Sequence, residues 1–349
     1  MKFIPRKLKK ANPIIRSGLF LSGAIIGIGV FALPFVVYQA GLVRGLITLI
    51  ITGLICWLLN LAYVQVVLAS KKNCQLGGYG REYWGWPGWL LGGLAILVNA
   101  NGAILAYLIG AGDFLHFLLP VASPLVWVLF FWLITLGVSV LGFKTIVKIG
   151  SLATLLLVIL IIIFLFWGVA RVNPINFIPS GQPRFIQIIS IFFFAYAGFT
   201  VIPEIGEILN FRKKPIFLAV TLGSFLPIIL YSLFIVIGLG LLGDQISKEF
   251  IFSLSDVSFF LSRLGAVIAM LTIISSFFAF TFVLKEFWSK DLGFNQLVSF
   301  GLAFLPSLLF YLLGIRDFLM VISLTGGVSC LLIVIVILFC WFKEKFSRG

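Results

Sequence analysis

The residues whose type and spacing could do chemistry are few, and most of them offer backbone groups, not side chains. Gly27, Gly29 and Pro34 lie within one apolar run, and Gly198, Pro203 and Glu204 lie within a second, Phe192 to Glu207. Glycine is a poor helix former; proline lacks an N–H and crowds the carbonyl four residues back, at Val30 and Phe199. Each run is apolar enough for a membrane helix yet predicted to unwind near its middle. Freed backbone groups are tolerated at membrane depth only where they face a protein-lined or watery cavity, so each break marks a place to hold a ligand. Bond-making chemistry has little to work with: one histidine, His116, and four scattered cysteines, Cys56, Cys74, Cys330 and Cys340, without metal-ligand spacing. No phosphate loop or nucleophile–base set is present, which excludes most enzyme classes and leaves no cofactor to predict.

Those two runs need elements that carry them across a bilayer, and the composition supplies them. Of 349 residues, 62% are hydrophobic and 10% charged, with a mean hydropathy of +1.21, too little polar surface to clothe a soluble globule. Windows of about 20 residues divide the chain into ten apolar spans, near 18–40, 43–69, 86–118, 122–142, 148–170, 185–209, 216–242, 259–284, 294–313 and 317–342. The expectation is one membrane domain at 18–342, between a basic N-terminus at 1–17 and a tail at 343–349. The basic start resembles the first part of a signal peptide, but the apolar segment behind it is too long and reads as a retained span.

The net charge of +14 does not point to nucleic acid, because no soluble surface is left to carry a basic patch. Its distribution is a topology signal. With both termini in the cytoplasm, only Arg44, Arg171, Arg184, Lys248, Arg263 and Arg316 lie outside, and the other nineteen of the 25 Lys and Arg lie inside. Trp84, Trp86, Trp167, Trp288 and Trp341 near span ends fit interfacial anchoring in a multi-pass plasma-membrane protein. Ten spans split five and five, at 18–170 and 185–342, and because five is odd the halves take opposite orientations. The breaks then fall mid-depth in the first span of each half. Paired broken helices in corresponding positions point to a transport site.

The residues also carry a resemblance. Gly27 to Phe35 (Gly-Ile-Gly-Val-Phe-Ala-Leu-Pro-Phe), followed by Ala40-Gly41-Leu42-Val43-Arg44-Gly45, resembles the first helix of the amino acid/auxin permease family and of related bacterial aromatic amino acid permeases. Ala106 to Leu115 in span three, Phe194 to Gly198 and Ile202-Pro203-Glu204 in span six, and Ser275 to Phe277 and Lys285 to Phe287 in span eight are similar in order along the chain. The resemblance implies an all-α leucine-transporter-type fold within the amino acid-polyamine-organocation superfamily. That fold has ten transmembrane helices as two inverted five-helix repeats with helices 1 and 6 broken. It also implies secondary-active amino acid permeation by alternating access, as symport with H+ or Na+. One feature departs: where proton-coupled relatives hold a lysine deep in the fifth helix, this chain has Leu157, so that mechanism is not carried over.

An amino acid zwitterion suits two broken helices. The N–H groups of Ile28, Gly29 and Val30, beside Gly27, carry the positive end of a helix dipole and fit a carboxylate. The carbonyls around Ala24 to Ile26 and Phe193 to Ala195 fit the ammonium or a cation. Tyr196, Phe199 and Thr200 near Gly198, with Asn99, Asn101 and Tyr107 of span three, would form a neutral side-chain pocket, which predicts a neutral, apolar or aromatic amino acid. Thr272, Ser275 and Ser276 are candidates for a sodium ion, with hydrogen bonds to their own helix as the alternative. Glu204 lies roughly 10 Å from the middle of span six, where a carboxylate must be paired or protonated. It is expected either to close a cytoplasmic gate with Arg16 or Lys285 or to carry the coupling proton. Asp113 and His116, one turn apart near the outer end of span three, read as a hydrogen-bonded pair or an external proton site. Two functions stay open: a permease, or an amino-acid-sensing receptor subunit on the same fold, as in germinant receptors. Beyond a small-molecule amino acid and the lipid bilayer, no partner is identified.

Overall fold

The structure is a computed structural model that describes residues 12–70, 74–139, 143–178, 185–248 and 250–347. The basic run from Lys2 to Lys10, and Lys71, Lys72, Arg184 and Arg348, lie outside the described residues. Among those described, all regular structure is helical. The chain runs through α1 (Pro13–Ile25), a 3-10 turn (Ile28–Ala32), α2 (Leu33–Ala40), α3 (Leu42–Ser70), α4 (Leu76–Trp84), α5 (Trp86–Leu118), α6 (Pro124–Ser139) and α7 (Phe143–Val169). It continues with α8 (Phe185–Ala195), a 3-10 turn (Phe199–Val201), α9 (Ile202–Ile208), α10 (Lys213–Leu242) and α11 (Phe250–Ser253). The last elements are α12 (Phe259–Glu286), a π turn (Phe287–Asp291), α13 (Gln296–Leu312) and α14 (Phe318–Ser347).

Among the described residues, seven segments are long and apolar enough to cross a membrane, and α1 with the Ile28–Ala40 segment, bent by 50°, makes an eighth. The shorter apolar helices α6 and α13 stand where spans four and nine are expected. The first helix begins at Pro13, ahead of the expected 18, because the Asn12 side chain accepts from the N–H of Ile14 (3.0 Å) and Pro13 needs no partner at the first position. Gly41 (φ 83°) turns the chain from α2 directly into α3, in a conformation that side-chain-bearing residues avoid.

Helices α5 and α12 form the interior: 72% of the apolar window of each is buried, against 28% for α3. Of the broken elements, α1 packs on α10, α7 and α12, and α8 packs on α14 and α3. The outward faces of α3, α6, α7 and α13 carry exposed Ile, Leu and Phe, as lipid contact requires. Among the described residues, the short helices α4 and α11 have no counterpart among the expected spans. The short helix α4 lies across one end of the bundle, between spans two and three, flush on α5. At their crossing a Cβ on Gly80 would come within 2.1 Å of the Gly88 carbonyl oxygen.

Candidate functional site

Both breaks share one construction. Helix α1 ends at Ile25, the Gly27 N–H turns back to the Ile25 carbonyl (2.7 Å), and the Val30 N–H reaches the Gly27 carbonyl (3.3 Å). The Leu33 N–H then bonds the Val30 carbonyl, and Pro34 enters α2. In span six α8 ends at Ala195, the Gly198 N–H bonds the Tyr196 carbonyl (2.8 Å), and the Val201 N–H reaches the Gly198 carbonyl (3.4 Å). There the Ile202 N–H bonds the Phe199 carbonyl and Pro203 enters α9. Each proline is thus preceded by a 3-10 turn that takes up the carbonyl it would strand. Of the three amides expected to be free in span one, Val30 is occupied. Among the described residues, the N–H groups of Ile28 and Gly29, and in the same way of Phe199 and Thr200, have no backbone acceptor.

The breaks also face each other. A Cβ on Gly29 would meet Phe194 Cδ1 at 3.2 Å and Ala195 at 3.5 Å, and a Cβ on Gly198 would meet Ile25 Cγ1 at 2.4 Å. Each glycine therefore lets its own break close on the last turn of the other half-helix. Between those last turns sits a residue that sequence reasoning missed. The Tyr231 hydroxyl of α10 donates to the carbonyls of both Ile25 (2.9 Å) and Ala195 (3.0 Å). A single neutral donor thus occupies the point where an ammonium or cation was expected. The available signal is the single tyrosine of span seven, whose hydroxyl must find a buried partner. Pro227 of α10 frees the Gly223 carbonyl four residues back, and the Ser22 hydroxyl of α1 donates to it (3.0 Å).

The remaining expected residues divide into two groups. Tyr107 lies against Gly27, where a Cβ would sit 2.6 Å from its hydroxyl. Its ring is 6.0 Å from that of Phe280, and its hydroxyl bonds with Ser276. Ser276 in turn donates to the Gly23 carbonyl in the last turn of α1 (2.7 Å). Thr272 and Ser275 bond within their own helix, to Ile268 (2.7 Å) and Thr272 (2.9 Å) carbonyls. The Ile28 side chain reaches across to Gly110 of α5, and Val30 is buried. Tyr196 and Phe199 line a cleft between α3, α8 and α14 of about 30 Å3, with room for roughly one water, away from span three. Among the described residues, the hydroxyls of Tyr196 and Thr200 are buried without partners. Asn99 and Asn101 do not join the site: Asn99 donates to Ser329 of α14 (3.2 Å), and Asn101 accepts from Ser307 of α13 (3.2 Å).

Glu204 stands on α9, buried, and its Oε1 accepts from Gln75 Nε2 (2.5 Å) at the start of α4. Among the described residues neither Arg16 nor Lys285, the expected gate partners, makes an ion pair with it. Asp291, past the end of α12, accepts from the N–H of Gln75 (2.9 Å) and of Gly78 (2.8 Å), capping the N-terminus of α4. Lys290 pairs with Glu286. Asp113 and His116 share a cleft at the opposite end with Phe117, Pro120 and Phe252, and His116 Nδ1 bonds the Ala122 carbonyl (2.8 Å).

Two half-helices broken in corresponding places, packed on each other inside a shell of apolar spans, are the architecture of the leucine-transporter-type fold. The solved structures agree in fold. The nucleobase-cation-symport-1 family transporter MHP1, closed with bromovinylhydantoin bound, superposes with a TM-score of 0.66 at 14% identity, over 93% of this chain and 77% of that one. The manganese transporter of Eremococcus coleocola gives 0.64 at 15% identity, over 99% and 80%. The transmembrane amino acid transporter protein family matches residues 12–346, and the chain belongs to that family. It is also similar to the tyrosine-specific transport system 1 of Haemophilus influenzae, 25% identical over 249 residues. That match spans 68% of this chain and 61% of the relative's length.

Proposed function

We propose that this membrane transporter is a secondary-active permease for neutral amino acids with apolar or aromatic side chains, working by alternating access and driven by a proton gradient. The observation that carries the reading is the reciprocal packing of the two breaks, which sets the Ile28 and Gly29 amides of one beside the last carbonyls of the other. The amides suit the substrate carboxylate, and the Ile25 and Ala195 carbonyls suit its ammonium once Tyr231 yields. Phe194, Tyr107, Phe280 and Tyr231 around them are aromatic and neutral, a poor host for a charged side group. The tyrosine substrate named for the Haemophilus relative agrees with this wall.

In this reading the chain is a single domain in the plasma membrane, with two inverted halves, both termini cytoplasmic and the α4 end facing the cytoplasm. A proton is favoured over sodium because the buried Glu204 carboxyl has no lysine or arginine bonded to it among the described residues and suits a proton. Ser276 and the Gly23 carbonyl are the start of the sodium alternative. The test is uptake of labelled tyrosine, phenylalanine and leucine into proteoliposomes with proton and sodium gradients imposed separately. Accumulation driven by the proton gradient alone is expected. Accumulation driven only by sodium overturns the coupling, and no gradient-dependent uptake of any neutral amino acid overturns the function.

A further inference from the structure

Glu204 and Gln75 are joined by one hydrogen bond, yet each keeps a bare oxygen. Among the described residues, Glu204 Oε2 and Gln75 Oε1 are both buried without a partner, on residues 4% and 2% exposed. An ionised carboxylate would hold an unpartnered charged oxygen away from water, with the amide oxygen equally unsatisfied. A single proton removes both defects. If Glu204 is a carboxylic acid, its Oε2–H donates to Gln75 Oε1 while Gln75 Nε2–H donates to Glu204 Oε1, a two-bond amide–acid pair. No lysine or arginine bonds Glu204 among the described residues. Glu286 and Lys290 act on it from the end of α12 but pair with each other. The phenols of Tyr63 and Tyr79 face it from α3 and α4, and Asp291 faces the same two phenols.

We propose that the Glu204–Gln75 pair is a proton-operated bolt that holds this end of the bundle shut. Gln75 belongs to a firm unit: α4 lies on α5 through Gly80 and Gly88, and Leu76 of α4 lies against Gly92 of α5, while Asp291 caps the α4 N-terminus. Glu204 belongs to α9, the half-helix below the break in span six. The pair therefore links the α4–α5 unit to one half of the site. Loss of the proton to water as hydronium leaves a carboxylate, breaks the O–H···O bond and sets negative charge against the Gln75 amide oxygen, so α9 parts from α4. Protonated is shut and deprotonated is open. The bolt deepens the proton-driven reading above and rests on it for its role in transport, but not for its existence.

Infrared difference spectroscopy of the protein in liposomes, stepped in pH without substrate, tests it directly. A carboxylic-acid C=O band that titrates is expected in the wild type, absent in Glu204→Gln and displaced in Gln75→Leu, which removes the amide partner. Hydrogen exchange of the α9 amides, corrected for intrinsic rates, should rise about tenfold as that band disappears, the loss of one buried hydrogen bond. In Glu204→Gln, whose amide makes the same two bonds with no proton, it should stay slow at every pH. An unchanged band in Glu204→Gln, an unmoved band in Gln75→Leu, or α9 exchange independent of pH in the wild type overturns the bolt. Neither measurement uses a gradient. A titrating Glu204 band with uptake indifferent to protons overturns the coupling and keeps the bolt, whereas proton-driven uptake without that band does the reverse.

Discussion

The two helix breaks share a backbone and differ in the residue after the proline. In span one Gly27, Val30 and Pro34 lead to Phe35; in span six Gly198, Val201 and Pro203 lead to Glu204. Repetition supplies the duplicated part, two stopped half-helices with bare amides and carbonyls that face each other. Divergence supplies the rest. Span one is tied to α5 and α12 through Tyr107 and Ser276, with an apolar residue after its proline, and reads as the fixed half of the site. Span six has a buried acid on a neutral amide and borders a cleft with unpartnered hydroxyls, and reads as the half that responds. In the proposed reading, backbone groups hold the substrate from both sides and the Glu204 side chain, on one side alone, couples the cycle to the proton.

That asymmetry can be broken by mutation. The largest effect is expected from Glu204→Gln, which should abolish proton-driven accumulation of tyrosine in proteoliposomes while Phe35→Leu, at the matching place in span one, leaves it within about twofold. Equal losses would mean that the two halves are not distinct. Next, Tyr231→Phe leaves the Ile25 and Ala195 carbonyls without their shared donor, at a cost of about 1–3 kcal/mol. A lower melting temperature and a KM changed by several-fold should result, and an unaltered KM would exclude those carbonyls from the site. Ser276→Ala, which strips the Gly23 carbonyl of its donor, should cost about 1 kcal/mol in stability and leave sodium without influence on uptake. The smallest effect is expected from Asn101→Ala, whose side chain faces α13; its KM should lie within about twofold of the wild type, and a larger shift would bring span three's asparagines back into the pocket.

Much of this is legible in the sequence, and the reasons are physical. Gly27, Gly29, Gly198 and the two prolines announce a failed helix by local rules alone, because an apolar run that cannot stay helical has few other uses in a bilayer. The hidden part depends on pairing across the fold. Tyr231 bridges residues 206 and 36 positions away, and nothing local says where its hydroxyl points. Gln75 lies in a stretch that reads as a connection; its importance comes from α4 lying flat on α5 through glycine contacts that no periodicity reveals. For Glu204 the sequence shows burial and its cost but not the partner, since charge pairing favours Arg16 or Lys285 and the position is held by a neutral amide. Likewise Asn101 shares the apolar span with Tyr107 but lies about 120° around the helix from it and faces α13, while Asn99, two turns away, bonds Ser329 of α14.

The central claim, that the substrate is held by the backbone of two breaks closed on each other, is tested most directly by equilibrium binding of labelled tyrosine to purified Gly29→Val. A side chain there would fill the approach to the Ile28 and Gly29 amides and press on Phe194 and Ala195. With size exclusion and melting showing folded protein, affinity should fall by at least about tenfold, the loss of roughly one charge-assisted hydrogen bond. Wild-type affinity in that variant would contradict the account.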